Sequence, residues 1–406
     1  MEDFKVLVCF RKIPVLLIVG LILLAYVLLG LKPHMRSNEL LKSDVHVPVD
    51  PIVSRQNKRA DGITKTASGD SNNEGHQRSV HSTLSQDVVS GVEKFVFFIG
   101  FTRSGHSIIG SFIDAHPHMI IAYQYKLFRR LSQLRVGDKA VLFNGLYRNS
   151  HLDAAKGWMS GGPTKKNYTL HVDYPWQGVY DDYISVIGDK AGGSTTLFFD
   201  SSPARFVDRY KNLKEIVQVP VKVIFVVRNP FDMIATHVLY HDSPKLREIL
   251  EKTISSDKLT TQILASNDRI VSLYKSTMND LQQSHQEELL LDAKYNDEHN
   301  LEVQINTIAS LAGANEKLID LITHDNVLEI HNEDLVDHPK SVMTAICDFL
   351  EVDCHSDYVQ ACANKVYRSV SRTRDFVVWP PRLQKMVEDG IIGKYQFFTK
   401  YSFESD

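Results

Sequence analysis

The alternation of apolar and polar positions divides this chain into segments of different character. Residues 1–12 form a short polar and apolar tail. From Ile13 to Leu31 the run "IPVLLIVGLILLAYVLLGL" carries no charge and is long enough to cross a bilayer as a helix. From residue 32 to 93 there is no apolar period, and Ser, Asn, Asp and Gly are frequent. Such a segment cannot bury enough surface to offset its ordering entropy, which predicts a flexible stem. Residues 94–406 read as one body. There "FVFFIG" (Phe95–Gly100) is a continuous apolar run of strand length, as in a strand covered on both faces. Ile108, Ile109, Phe112 and Ile113 then share one helical face, and that helix ends at "AHP". A second unit places a strand over Val221–Val227, with Asn229 as cap, Pro230 at the first helical position and Asp232 in the first turn. A third has a short strand, Val327–Ile330, and a helix from Pro339 that spaces Val342, Ile346, Phe349 and Leu350 helically.

Repeated strand–helix units predict an α/β fold with a parallel sheet flanked by helices. Ligands of such sheets sit beyond the carboxyl ends of the strands, the edge on which Arg103 and Arg228 fall. Two regions are harder to read. The polar, mostly helical stretch from Ser243 to Ile322 suits a helical subdomain or a lid. Between Tyr125 and Asp182, the aromatics Trp158, Tyr168, Tyr174 and Trp176 suit either a cleft lining or loop packing.

The 406 residues are 43% hydrophobic and 23% charged, ordinary for a globular chain, and the net charge of -3 gives no case for nucleic-acid binding. Any anion site must be local. Lys5, Arg11 and Lys12 precede the apolar run and Lys32, Arg36 and Lys42 follow it, so the flanking charge bias is weak, and no small-residue cleavage site is evident. An uncleaved signal anchor is therefore expected, with the tail cytosolic and the body in the lumen; trimming would give a secreted form. Cys347, Cys354 and Cys362 cluster late, with Cys9 in the tail. One disulfide and one free thiol suit an oxidising lumen, with Cys354–Cys362 the expected pair and three buried thiols the alternative. Zinc is not expected, because no second ligand pair stands at finger-like spacing. "NYT" at Asn167 is a glycosylation sequon.

The candidate chemistry lies in "FFIGFTRSGHSIIGSFIDAHP", which begins at Phe97. A P-loop-type strand–turn–helix built on Arg103, Ser104, Gly105, His106 and Ser107 aims backbone N–H groups at one point beside a helix N-terminus, which favours an anion. The hydroxyls of Ser104 and Ser107 and the guanidinium of Arg103 add donors. The pattern G-x-x-x-x-G-K-[ST] is not met, which disfavours a Mg-dependent NTPase; a kinase that requires Mg and ATP is a third option. Arg228 ends the second strand, and Thr236 faces the same way as Asn229 on the following helix. Together they form a second anion corner, and two corners on one edge suit a nucleotide with two separate charged ends.

These motifs resemble the sulfotransferases that use 3′-phosphoadenosine 5′-phosphosulfate (PAPS). "TRSGHS" is similar to their 5′-phosphosulfate loop, in the form found in the Golgi carbohydrate and tyrosylprotein enzymes, and "DAHP" is similar to the segment at the end of the next helix in those enzymes. "VIFVVRNPFDMIAT" resembles the 3′-phosphate motif. "HNEDLVDHPKSVMTAICDFLEV", "SRTRDFVVWPP" and "KYQFFTKYSF" resemble later family segments, so the likeness spans most of Phe95–Phe403. The resemblance implies in-line sulfuryl transfer from PAPS to a hydroxyl or amine of a glycan or secreted protein, without a metal. It implies a single-pass type II protein of the Golgi membrane, with homodimerisation left open. Arg103, Ser104, Gly105, His106 and Ser107 would hold the 5′ end, with Arg103 and His106 closest to the chemistry. Arg228 and Thr236 would hold the 3′-phosphate, and Arg372 or Arg374 would close over the nucleotide.

The general base departs from the pattern. Where tyrosylprotein enzymes supply a Glu, this chain has Gln124, which cannot accept a proton at neutral pH. His106, His118, His171, Asp173 and Asp200 are the substitutes that position suggests. "VIGDKAGGSTT" offers Lys190 in a Gly-rich turn, either a plain loop or a second phosphate cradle, and "SSPARF" lacks the Lys of the family's similar segment. The alternative to an enzyme is a relative that keeps the nucleotide site and acts as a scaffold.

Overall fold

The computed structural model describes residues 83–158, 169–254, 258–259 and 266–405. The expected anchor over 13–31, Cys9, Asn167 and Tyr168 lie outside them. Among the described residues no helix is long and apolar enough to cross a membrane. Five strands, β1 (Lys94–Gly100), β2 (Met119–Tyr123), β3 (Val186–Lys190), β4 (Val221–Val227) and β5 (Val327–His331), form one parallel sheet in the order β2-β3-β1-β4-β5. Every residue of β1 is buried, because the strand is central and both its faces are covered. Alternate residues point into different layers: Phe95, Phe97 and Ile99 into one core, Val96 and Phe98 into the other. Phe97 meets Phe128 edge-on at 5.1 Å and Tyr210 at 6.1 Å. Burying one such side chain is worth roughly 1.5–3 kcal/mol.

Packing reaches back beyond Lys94. Helix α1 (Gln86–Gly91) is capped by Ser85, whose side chain accepts from the Val88 N–H, and Leu84, Val89 and Val92 join the core. The last part of the 32–93 interval is thus helical and packed; its polar residues are the outward face of a short amphipathic helix.

After β1 the chain turns into α2 (His106–Asp114). Asp114, at its end, is buried and accepts from the Ile121 N–H (2.8 Å), Ser150 Oγ (2.6 Å) and Trp158 Nε1 (2.9 Å). Trp158 is fully buried and packs edge-on to Tyr123 at 5.1 Å, so this aromatic is packing. Helix α3 (Lys139–Ala154) packs on β2 and β3, α4 (Gly192–Ser201) packs on β1, and α5 (Pro203–Val217) packs against α4. Helix α6 (Pro230–His241) begins as its cap residues dictate: Asn229 Oδ1 accepts from the Phe231 N–H at 3.0 Å, and Pro230 lacks a donor that would be unpaired there.

The helical stretch after α6 has two roles. Helix α7 (Asn267–Gln283) walls a cleft at the carboxyl edge of the sheet, while α8 (Glu298–Ile322) buries Leu301, Ile305, Ile308, Leu311 and Leu318 in the main core. After β5 come helices α9 (Asn332–Asp337), α10 (Pro339–Leu350), α11 (Ser356–Lys365) and α12 (Pro381–Val387).

The disulfide is Cys347–Cys354, and buried Cys362 is free, which corrects the expected Cys354–Cys362 pair. Cys347 lies in the last turn of α10. The chain reverses at Glu351, with φ 54°, and brings the two Cα atoms to 6.1 Å. Cys362 instead turns into the core beside α2.

Candidate functional site

The register of the sheet creates the site. Gly100 of β1 pairs with Val226 of β4, so the turn after β1 and the residue after β4 leave the same edge side by side. In that turn Arg103 has φ 68° and Gly105 has φ 95°. A left-handed arginine costs about 1–3 kcal/mol and persists only where the surroundings enforce it. Gly105 is required by its φ, which strains any residue with a Cβ, and a Cβ there would also press on the Asn332 side chain. The Gly-rich turn after β3 supports the loop from below. A Cβ on Gly193 would stand 2.8 Å from the Thr102 N, and one on Gly192 would stand 2.9 Å from the His106 ring. That turn is a packing platform for the loop. Lys190, at the end of β3, is fully buried, donates to Ser107 Oγ at 3.0 Å and lies over the Tyr123 ring at 3.7 Å.

Arg103, Gly105, His106, Ser107, Arg228, Thr236 and Arg372 all line one cleft of about 930 Å³, within the range for small-molecule sites. Ser104 does not: its hydroxyl is fully buried and donates to the Phe101 carbonyl at 2.9 Å. Its side chain shapes the loop, and the expected hydroxyl contact to an anion is replaced by this internal bond. Arg103 stacks over the Tyr240 ring at 3.7 Å. Arg228 donates from Nη1 to the Arg103 carbonyl (3.2 Å) and from Nη2 to the Ser371 carbonyl (2.7 Å). Neither guanidinium pairs with a carboxylate among the described residues. Arg228 Nε and Thr236 Oγ1 are buried with no hydrogen-bond partner. Orphaned donors beside un-neutralised cations suit an anion.

The two C-terminal arginines divide. Arg374 is fully buried in a salt bridge to Asp232 and donates to the Phe403 carbonyl at 2.7 Å, so it is structural. Arg372 lines the cleft, yet its Nε pairs with Asp375 Oδ2 at 2.9 Å and its Nη1 donates to the Glu404 carbonyl at 3.0 Å. Its guanidinium is tied to Asp375 nearby and to the C-terminal segment at Glu404.

Gln124 stands in the cleft where a base is expected. The N–H of Gln124 donates to the Lys190 carbonyl at 3.0 Å, its φ is 51°, and Asp189 fixes the turn through the Tyr125 and Leu127 N–H groups at 2.9 Å. Of the suggested substitutes only His106 lines the cleft. Burial, then the charge of Lys190, hold its pKa down to about 3, and its Nδ1 lies 3.3 Å from Ser104 Oγ. That imidazole stays neutral and accepts a proton poorly. His118 stacks on Tyr183 at 4.0 Å, Asp200 accepts from Ser310 at 3.1 Å, and His171 and Asp173 also lie off the cleft lining.

Several cleft residues escaped the sequence reading. His237 and His241, one turn apart on α6 with ring centroids 4.2 Å apart, are both depressed in pKa by burial first, His237 to about 3. Their spacing next to Thr236 was the available signal. Lys275 on α7, outside every quoted motif, and Asn332 on α9, inside the segment that begins "HNEDLVD" but not singled out there, also line the cleft. Among the described residues no group of three His, Cys, Asp or Glu side chains is placed to hold a metal ion.

No family model matches the chain, and no curated protein matches it. Among solved structures, the chain is similar to the sulfotransferase domain of the Synechococcus PCC 7002 olefin synthase, with 16% identity and a TM-score of 0.33 over 82% of this chain and 94% of that one. It is similar to a sulfotransferase from Alicyclobacillus acidocaldarius, with 15% identity and a TM-score of 0.33 over 77% and 96% of the two chains. It is also similar to the mouse sulfotransferase SULT7A1 complexed with PAP, with 11% identity and a TM-score of 0.35 over 76% and 89%. Likeness at this level fixes neither reaction nor ligand.

Proposed function

We propose that this protein is a PAPS-dependent sulfotransferase that modifies a hydroxyl or amine of a glycan or secreted protein. The observation that carries the reading is the shared rim. Arg103 and Arg228 touch through one hydrogen bond, and among the described residues neither pairs with a carboxylate and the Thr236 Oγ1 in the same cleft lacks a partner. These residues fit a ligand with two anionic ends. PAPS would supply an activated sulfuryl group. Arg103 and the N–H groups opening α2 would stabilise charge on the phosphosulfate end, and Arg228 with Thr236 would hold the 3′-phosphate. The Ser107 hydroxyl, held by buried Lys190, would orient that end of the nucleotide. The apolar run over 13–31 supports a type II anchor and a Golgi lumenal body.

Gln124 favours a second reading, a nucleotide-binding scaffold without turnover. Calorimetric titration of the full chain with 3′-phosphoadenosine 5′-phosphate (PAP), and with ATP and Mg²⁺, tests the nucleotide. Tighter binding of PAP is expected; preference for ATP overturns both readings. Sulfate transfer to an acceptor panel then separates enzyme from scaffold.

A further inference from the structure

We propose that Lys275 is the second cation of the Arg228 corner, so that this subsite selects a phosphate monoester in its dianionic form. The inference rests on the proposed nucleotide-binding function and adds a residue from outside the motifs.

Lys275 lies on α7, within a stretch whose polar pattern suggested only a subdomain or a lid. The fold brings it into the cleft beside Arg228, Thr236 and Ser371. Its ammonium donates to Thr373 Oγ1 at 3.2 Å. Thr373 is itself fully buried, with Ser371 Oγ 3.2 Å from its hydroxyl. An ammonium has three donors, and a hydroxyl does not compensate its charge. No carboxylate closes on Lys275 among the described residues. Asp232, on α6, is the acidic group that acts on it, and the Asp232 carboxylate is bound to Arg374. Arg228 at the end of β4 and Arg103 in the loop after β1 repel it, while Asp268 on its own helix and Asp375 line the same cleft.

A buried cation, Arg228, and a part-buried one, Lys275, at one corner are a costly arrangement without a counter-charge. Burial, and then Arg228, hold the Lys275 pKa down to about 8. A dianionic phosphate matches the paired charges of Arg228 and Lys275. A diester or a neutral ribose hydroxyl leaves one of them uncompensated. A dianion also draws Lys275 back to its fully protonated state. Nucleotide binding near pH 8 should therefore take up part of a proton. His106, His237 and His241 remain neutral at that pH and do not contribute.

The experiment is calorimetry of PAP and of adenosine 5′-phosphate at pH 8, in buffers of different ionisation enthalpy. With wild type, PAP should bind at least tenfold tighter than adenosine 5′-phosphate and take up about half a proton, the fraction that a group titrating near 8 has lost there. Lys275→Gln should weaken PAP ten- to a hundredfold, leave adenosine 5′-phosphate unchanged and abolish the uptake. Lys275→Arg, which keeps the charge but does not titrate, should preserve affinity while losing the uptake, and so guards against a merely misfolded variant. Proton uptake that persists in both variants, or equal loss for both ligands, overturns the role of Lys275. A wild type that fails to prefer PAP overturns the nucleotide reading itself.

Discussion

Arg228 donates to the carbonyl of Arg103 at 3.2 Å, so two residues 125 positions apart form one surface. The pairing of Gly100 with Val226 brings the two residues within reach of each other at one edge of the sheet. A consequence is that Arg228 is poised but not consumed: its bonds to two carbonyls can be exchanged for bonds to an anion. Arg228→Ala should weaken PAP binding by about 1–3 kcal/mol, the scale of a lost charge-assisted hydrogen bond. Calorimetry checks it, and an unchanged affinity removes the 3′-phosphate corner from the site.

Gln124 sits in the cleft with its backbone fixed by Lys190 and its turn fixed by Asp189. A carboxylate placed there would face the same space without moving the backbone. Gln124→Glu should raise sulfate transfer by about a hundredfold or more, the ordinary contribution of a positioned general base. Radiolabelled sulfate transfer over an acceptor panel measures it. Equal rates in the two proteins would mean that another group takes the proton.

Much of this fold could be read from the sequence where local pattern and tertiary environment agree. The runs at Phe95 and Val221 are strands because both faces are covered, and Asn229–Pro230 starts a helix by local chemistry alone. Arg228 and Thr236 fell together because helical spacing fixes their relation. The misses have another origin. Lys275 enters the cleft through the packing of α7, which no local motif encodes. Cys347 and Cys354 meet because the chain reverses at Glu351, whereas sequence proximity alone allowed Cys354–Cys362. Ser104 reads as a ligand group in a motif, but the turn uses its hydroxyl internally. Arg374 and Arg372 are equivalent in sequence and divide only once Asp232 claims one of them.

That claim has a measurable strength. The Arg374–Asp232 pair is fully buried, and Asp232 also accepts from the Arg374 N–H at 2.9 Å. Removing one partner leaves a buried charge without compensation, at a cost of about 3–5 kcal/mol. Asp232→Ala should lower the unfolding free energy by that amount in a urea titration, while Arg372→Ala, whose partner Asp375 is partly exposed, should change it by less than about 1 kcal/mol. Similar losses in the two variants would contradict the division of roles.

Acid should weaken the fold through histidines held neutral. Burial, the largest cause in each case, lowers His116 to about 4 and both His106 and His237 to about 3, from 6.5. For His116 the bonding explains the preference. Its Nδ1 accepts the His118 N–H at 3.1 Å and its Nε2 lies 3.0 Å from the Asp353 carbonyl, so a second proton must break the first of these bonds. Below pH 6.5 the unfolded chain binds protons that the folded chain refuses. The stability each histidine contributes is complete above that pH and is lost as pH falls toward its folded value. By linkage the loss at pH 5 is on the order of 2 kcal/mol per group. Asp114, raised by burial to about 7, and Asp189, raised to about 6, act in the opposite sense over part of the same range. The informative quantity is therefore a difference between proteins. His116→Gln, which cannot titrate, should be less stable than wild type at pH 7.5, and the gap should narrow by about 2 kcal/mol by pH 5. Denaturant titrations at the two pH values give it directly, and parallel losses in both proteins would show that His116 titrates normally in the fold.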